Sequence, residues 1–171
     1  GITLALSSTS ASWFGELRLS RYEGDTNYDG ALFDPNTGNI VVSPYYATTR
    51  NSITELAGRP GLVITINEQA RLKPHLEFGY HFWRRDLGFI EDYEHFWGGV
   101  GLIGQYRINS SSTLELEAMF GQTSEARIDV PDFALHAPLG SSSTYRLGLG
   151  LTQQRHDGLQ LFGKADFRRF D

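Results

Sequence analysis

Residues 72–83 read Leu-Lys-Pro-His-Leu-Glu-Phe-Gly-Tyr-His-Phe-Trp, a stretch of twelve that keeps two chemistries strictly apart. Leu72, Leu76, Phe78, Tyr80 and Phe82 share one parity, while Lys73, His75, Glu77, His81 and Trp83 share the other. Side chains of a β-strand point alternately to opposite faces, so the spacing predicts one strand with an oily side and a charged side. Globular strands usually run about 5–6 residues. A tilted strand needs about 9–11 to cross a bilayer, and this segment is long enough to do so.

The pattern recurs along the chain. Oily parities are Ile2, Leu4 and Leu6; Trp13, Leu17 and Leu19; and Leu56, Leu62, Ile64 and Ile66. After 72–83 come Phe96, Val100, Leu102 and Tyr106; Leu114, Leu116, Ala118 and Phe120; Tyr145, Leu147, Leu149 and Leu151; and Leu159, Leu161, Ala165 and Phe167. Eight strands are expected. Short connections near residues 8–11, 67–71, 109–111 and 154–158 alternate with long polar ones at 23–51, 84–94 and 122–143. In an up-and-down arrangement every second connection emerges on the same side, so one side carries short turns and the other long loops.

This architecture resembles the outer-membrane β-barrels of Gram-negative bacteria, in particular the small eight- to ten-stranded class, over nearly the whole chain. The resemblance implies an all-β, antiparallel, up-and-down transmembrane barrel of at least eight strands, forming one domain over 1–171. It also implies location in the bacterial outer membrane, with membrane lipid and lipopolysaccharide as neighbours. No apolar run approaches the roughly eighteen residues of a membrane helix, and a spanning chain without helices must use a closed sheet. The chain has no cysteine, so thiolate metal sites and disulfide frameworks are excluded. A net charge of -5 argues against nucleic acid as a partner.

The parity opposite the oily one supplies Glu16, Arg18, Glu55, Arg59, Lys73, His75, Glu77, Arg107, Glu115, Glu117, Arg146, Lys164 and Asp166. So many charges cannot form a dry core, but they can form a paired network in a barrel lumen. The oily face would then meet lipid. In a soluble calycin-like barrel the same periodicity would turn inside out, with the oily face around a small ligand. Aromatics near strand ends and the unequal loops favour the membrane arrangement.

Two features strain this picture. Short turns come first and last in the chain, which puts both ends on the long-loop side, and the end lacks a terminal aromatic residue. Both would be explained by further strands at each end, as part of a larger porin or polymer-export channel. Pro60 predicts a bulge or break, because proline cannot donate to a ladder.

Asp25-Thr26-Asn27-Tyr28-Asp29-Gly30 has the spacing of a calcium loop, which makes Asp25, Asn27, Asp29 and Asp34 candidate ligands for calcium, the one candidate cofactor. Asn36 stands where a complete loop would carry glutamate. His75 and Glu77 are spaced to share a proton, with membership of the lumenal network as the simpler reading. His95, beside Asp92 and Glu94, marks where a rim-site hydrolase would work, although no family catalytic residue carries over. His156 and Asp157 read as turn residues. The functional expectation is a non-enzymatic barrel with a plugged, charged lumen and a structural or surface-interaction role. At most it would pass small solutes, and it could meet extracellular ligands through loops 23–51, 84–94 and 122–143.

Overall fold

The computed structural model describes residues 1–34, 37, 39–154 and 160–170, with backbone alone for Phe33, Gln160, Phe162, Arg168 and Phe170. His156, Asp157, Leu159, Asn36 and the last short connection lie outside the described residues. The chain is all-β: a single antiparallel sheet of 11 strands with one 3-10 turn at Pro131–Phe133. In chain order these are β1 (Ile2–Thr9), β2 (Trp13–Phe33), β3 (Ile40–Leu62), β4 (Ile64–Thr65), β5 (Ala70–Asp86) and β6 (Ile90–Arg107). They are followed by β7 (Ser112–Thr123), β8 (Ala126–Val130), β9 (Leu135–Gly140), β10 (Ser143–Gln154) and β11 (Gln160–Phe170).

Eight of them form one up-and-down path, β1-β2-β3-β5-β6-β7-β10-β11. These are the eight strands that the sequence predicts. Among the described residues the sheet is not closed: β1 and β11 are its edges. It is nevertheless strongly curled, because Arg59 of β3 reaches Glu117 of β7, and Arg146 of β10 reaches Glu77 of β5, each three strands away along the path.

The long connections differ from expectation. Most of residues 23–51 continues β2 and β3 as a paired ribbon, and 84–94 continues β5 and β6 around a tight turn at Leu87–Phe89. Gly88 takes a φ of 93°, which favours glycine, in that turn. Residues 122–143 contain the β8–β9 hairpin, and β8 pairs with Asp92–Glu94 of β6. These extensions have polar residues on both faces, so no oily parity marks them as strands. They satisfy their backbone groups by cross-strand pairing all the same.

Pro60 interrupts pairing between β3 and β5 from Gly58 to Gly61, yet Gly58↔Phe78, Gly61↔His75 and Ile64↔Leu72 keep one register. It is a break without a bulge.

The sheet turns its oily residues outward and its charges inward. Among the described residues, eight hydrophobic ones are buried, including Phe14, Trp97, Ile103 and Met119. The oily parity points outward: Leu76 is 57% exposed, Phe78 56%, Leu147 58% and Leu149 52%. Glu77, Arg59, Glu117 and Arg146 are buried instead, at 1%, 3%, 4% and 1% exposure.

Candidate functional site

The buried charges converge on two carboxylates. Glu77 lies on the inner parity of β5, where Arg146 Nη1 donates to its Oε1 at 2.6 Å and Arg146 Nη2 donates to its Oε2. Arg59 Nε stands 2.9 Å from the same carboxylate, and Trp97 Nε1 donates to it at 3.3 Å. Glu117 on β7 accepts from Arg146 Nε at 3.1 Å, from Arg146 Nη2, and from Lys164 Nζ at 2.6 Å. Arg59 Nη1 is 3.5 Å from Glu117 and 3.3 Å from Glu16, which also accepts from Arg18 at 2.8 Å. Lys164 reaches Asp166 at 3.1 Å. Among the described residues, four acids thus face four bases, Glu16, Glu77, Glu117 and Asp166 against Arg18, Arg59, Arg146 and Lys164.

Pairing is what makes this burial tolerable, since a lone desolvated ion costs several kcal/mol. Trp97 forms its floor with Ala57 and Met119. The indole fits because Gly79 lies opposite it in register, where any Cβ would collide with the ring.

The remaining expected residues lie around this centre. Lys73 holds its ammonium 5.3 Å over the Phe14 ring, and Glu115 accepts from Gln105 at 2.8 Å. Arg107 sits at the turn side, where its guanidinium donates to the backbone oxygen of Glu68 at 2.6 Å. His75 packs edge-on against Phe14 at 5.9 Å, its Nδ1 3.2 Å from the Lys73 carbonyl. His75, Glu77 and Glu117 bring ligand atoms within 4.8 Å of one another. The arginines and Lys164 already neutralise both carboxylates, which leaves this trio poor in charge for a cation. Glu55 lies nearer the loop side, with Oε1 3.1 Å from His81 Nδ1.

A cavity of about 850 Å³ lies beside the network, lined by both signs of charge and by the inner residues of β1, Thr3, Ala5, Ser7 and Thr9.

Asp25, Asn27 and Asp29 belong to regular β2, opposite Arg50, Thr48 and Tyr46. An extended strand spaces alternate side chains apart along one face, so the chelating turn implied by their spacing does not form. Asp34 follows the end of β2.

Loopward of the network the inner face carries cross-strand pairs that sequence reading missed. His81 stacks on His95 with ring centroids 4.9 Å apart, and Trp83 stacks on Tyr93 at 4.8 Å. Arg85 lies 5.3 Å from the centroids of Trp83 and Tyr28, and also pairs with Glu91. Trp83 Nε1 donates to Asn51 Oδ1 at 2.9 Å. Burial, and then the neighbouring Glu91 carboxylate, push the Tyr93 hydroxyl up to about 12. The available signal was the hairpin centre at Gly88, which fixes the register of every pair. His95 takes part in this ladder, 6.3 Å from Trp97.

No family model and no curated protein sequence matches this chain.

Proposed function

We propose that the chain is a closed, membrane-spanning β-barrel of the bacterial outer membrane, plugged by its own charge network. Its role is structural or one of surface interaction, with at most narrow passage of small solutes. The observation that carries this reading is the inverted polarity: a continuous oily face outside and paired ions inside. A large exposed apolar surface is rare on soluble monomers and is what a lipid solvent requires. A calycin-like barrel would need Leu76, Phe78, Leu147 and Leu149 around a ligand, whereas they point outward.

An open sheet edge cannot stand in hydrocarbon, so β1 and β11 must be covered. Their directions suit each other, since β1 runs toward the short turns and β11 runs away from them. Direct closure is supported by contacts across the lumen. One ladder line joins Gly61, His75, Gly101 and Met119. Arg59 lies two residues loopward of it and Glu117 two residues turnward, yet they meet at 3.5 Å. That slant matches the tilt and stagger expected of a narrow barrel, and the side chains of a wide porin could not bridge it. Extrapolated around the sheet, the same slant would bring inner Thr3 level with the inner residues Lys164 and Asp166, which supports direct closure of the two edges.

The first test is the mobility of the envelope-extracted protein on an SDS gel, unheated and heated. A heat-dependent shift with recovery in the membrane fraction is expected; soluble recovery without a shift overturns the reading. Leu4→Cys combined with Ala165→Cys or with Gly163→Cys should crosslink within one chain. If neither pair does so while the gel shift persists, the larger-channel alternative takes over. In planar bilayers the plugged lumen predicts no large stable conductance steps.

A further inference from the structure

β1 adds no charge to the inner face. Its inner residues are Thr3, Ala5, Ser7 and Thr9, all small, and all four line the cavity of about 850 Å³ that lies beside the charge network. The lining of this cavity continues past the buried ions in both directions. Toward the turns it includes Lys73, four residues beyond Glu77 on β5, and Glu115, two beyond Glu117 on β7. Toward the loops it includes Glu55, four residues beyond Arg59 on β3, and Tyr22, six beyond Glu16 on β2. The cavity thus runs alongside the network and does not stop at it. Closure of β1 on β11 makes the β1 wall its remaining side.

We propose that the lumen stays open along β1, as a narrow passage for small polar solutes that carry no net charge. The inference rests on the barrel reading above and places the route that reading left unspecified. Pore selectivity follows from the diameter, the hydrogen-bonding groups and the fixed charges of the wall. Here the wall offers the hydroxyls of Thr3, Ser7 and Thr9. Its ions stand beside their counter-ions, Arg18 2.8 Å from Glu16 and Lys164 3.1 Å from Asp166, so a solute meets hydrogen-bonding groups without a strong field of one sign. Size is restricted at the turn-side end, where Phe14 and Ile103 belong to one buried cluster and Lys73 holds its ammonium 5.3 Å over the Phe14 ring. These side chains narrow that end to solutes of about amino-acid size.

The test is osmotic swelling of lipid vesicles that hold the full chain, with glycine and with raffinose as external solutes. Glycine is expected to enter faster than in protein-free vesicles, and raffinose to stay out. Ser7 shares a rung with Glu16 and Arg59, so Ser7→Trp fills the passage at the level of the network and should abolish the added glycine entry. Leu6→Trp places the same ring on the outer face of the same strand and should leave entry unchanged. The chain has no cysteine, so Ser7→Cys can be folded first and then labelled at one position with a bulky water-soluble maleimide. That label should block entry too, which keeps the test decisive if Ser7→Trp does not fold. Failure of Ser7→Cys to label, undiminished entry after labelling, equal loss in Leu6→Trp, or free entry of raffinose each overturns the proposal. The heat-dependent gel shift separates the two readings. A wild-type chain that shifts but admits no glycine removes the passage alone, and one that does not shift removes the barrel and the passage with it.

Discussion

Two halves of the inner face are built by different rules. In the turn-side half, Arg59, Glu77, Glu117, Arg146 and Lys164 form one network over the concave face, and Arg59–Glu117, Arg146–Glu77 and Lys164–Glu117 join strands two or three apart along the path. In the loop-side half, His81 with His95, Trp83 with Tyr93, and Arg85 with Glu91 meet between adjacent strands of one hairpin, and the longer reach of Arg85 to the Tyr28 ring is a single cation–π contact. Contacts of the first kind constrain curvature, because they exist only if distant strands curl toward each other. Those of the second kind stiffen a ribbon and are indifferent to whether the sheet closes. Breaking the lower half should therefore unfold the molecule, and breaking the upper half should loosen one hairpin.

The largest effect is expected from Arg146→Ala, which strands Glu77 and Glu117 in a buried site with part of their compensation gone. Loss of one partner of a buried ion pair costs about 3–5 kcal/mol. Urea unfolding in lipid vesicles should report it as a global shift. Arg146→Met combined with Glu77→Gln sharpens the point, since removal of both charges leaves far less unpaired and should recover most of the loss. If Arg146→Ala is silent, the network is not what holds the curl.

A second comparison separates the outer face from the extension. Leu149 and Val41 are similarly exposed, at 52% and 64%. Leu149 sits mid-strand in the proposed lipid belt, and Val41 lies on the loop-side ribbon. Leu149→Lys should cost about 2–4 kcal/mol in vesicle unfolding, whereas Val41→Lys should stay within about 0.5 kcal/mol. Equal, small costs at both positions would mean that Leu149 faces water, and the membrane reading would fail.

How far the sequence reveals these halves follows from the same physics. Strict alternation of oily and charged residues made 72–83 readable as a strand, and the short turns gave the order of the sheet. The inner charges were legible as a set, because parity alone places Glu77, Glu117, Arg59 and Arg146 on one face. Their partners were not legible, since Glu77 and Arg146 lie 69 residues apart and meet only through curvature. Periodicity is also blind to inside and outside, a choice that the burial of Glu77 against the exposure of Leu76 decides for this fold. The extensions carry no strand signature in the sequence, because β2 beyond Tyr22 has Glu23, Asp25 and Asp29 on one face and Thr26 and Tyr28 on the other, with no oily contrast.

A smaller, local effect is expected from Trp83→Ala. Stacking of the aromatic pair contributes about 0.5–1.5 kcal/mol beyond burial, and the substitution also leaves Asn51 Oδ1 without its indole donor. Faster amide exchange at the β5–β6 tip, with an unchanged global urea midpoint, is the expected signature. A shifted global midpoint would show that the hairpin and the network form one cooperative unit.

The smallest effect is one of pH. The Tyr93 hydroxyl donates to Glu91 at 2.9 Å and accepts from Arg85 Nη2 at 2.9 Å. Burial and the Glu91 charge hold its proton, raising its pKa from 10.0 to about 12. The fold thus favours the neutral phenol, so this contribution is complete below 10.0 and is lost as pH rises through about 12. Across that window the Trp83 environment should change, as followed by tryptophan fluorescence beside tyrosinate absorbance, while the turn-side strands stay intact. Tyr93→Phe should remove that fluorescence transition. If the transition survives the substitution, some other group governs the alkaline loosening, and the upper half is not tuned by the Tyr93–Glu91 pair.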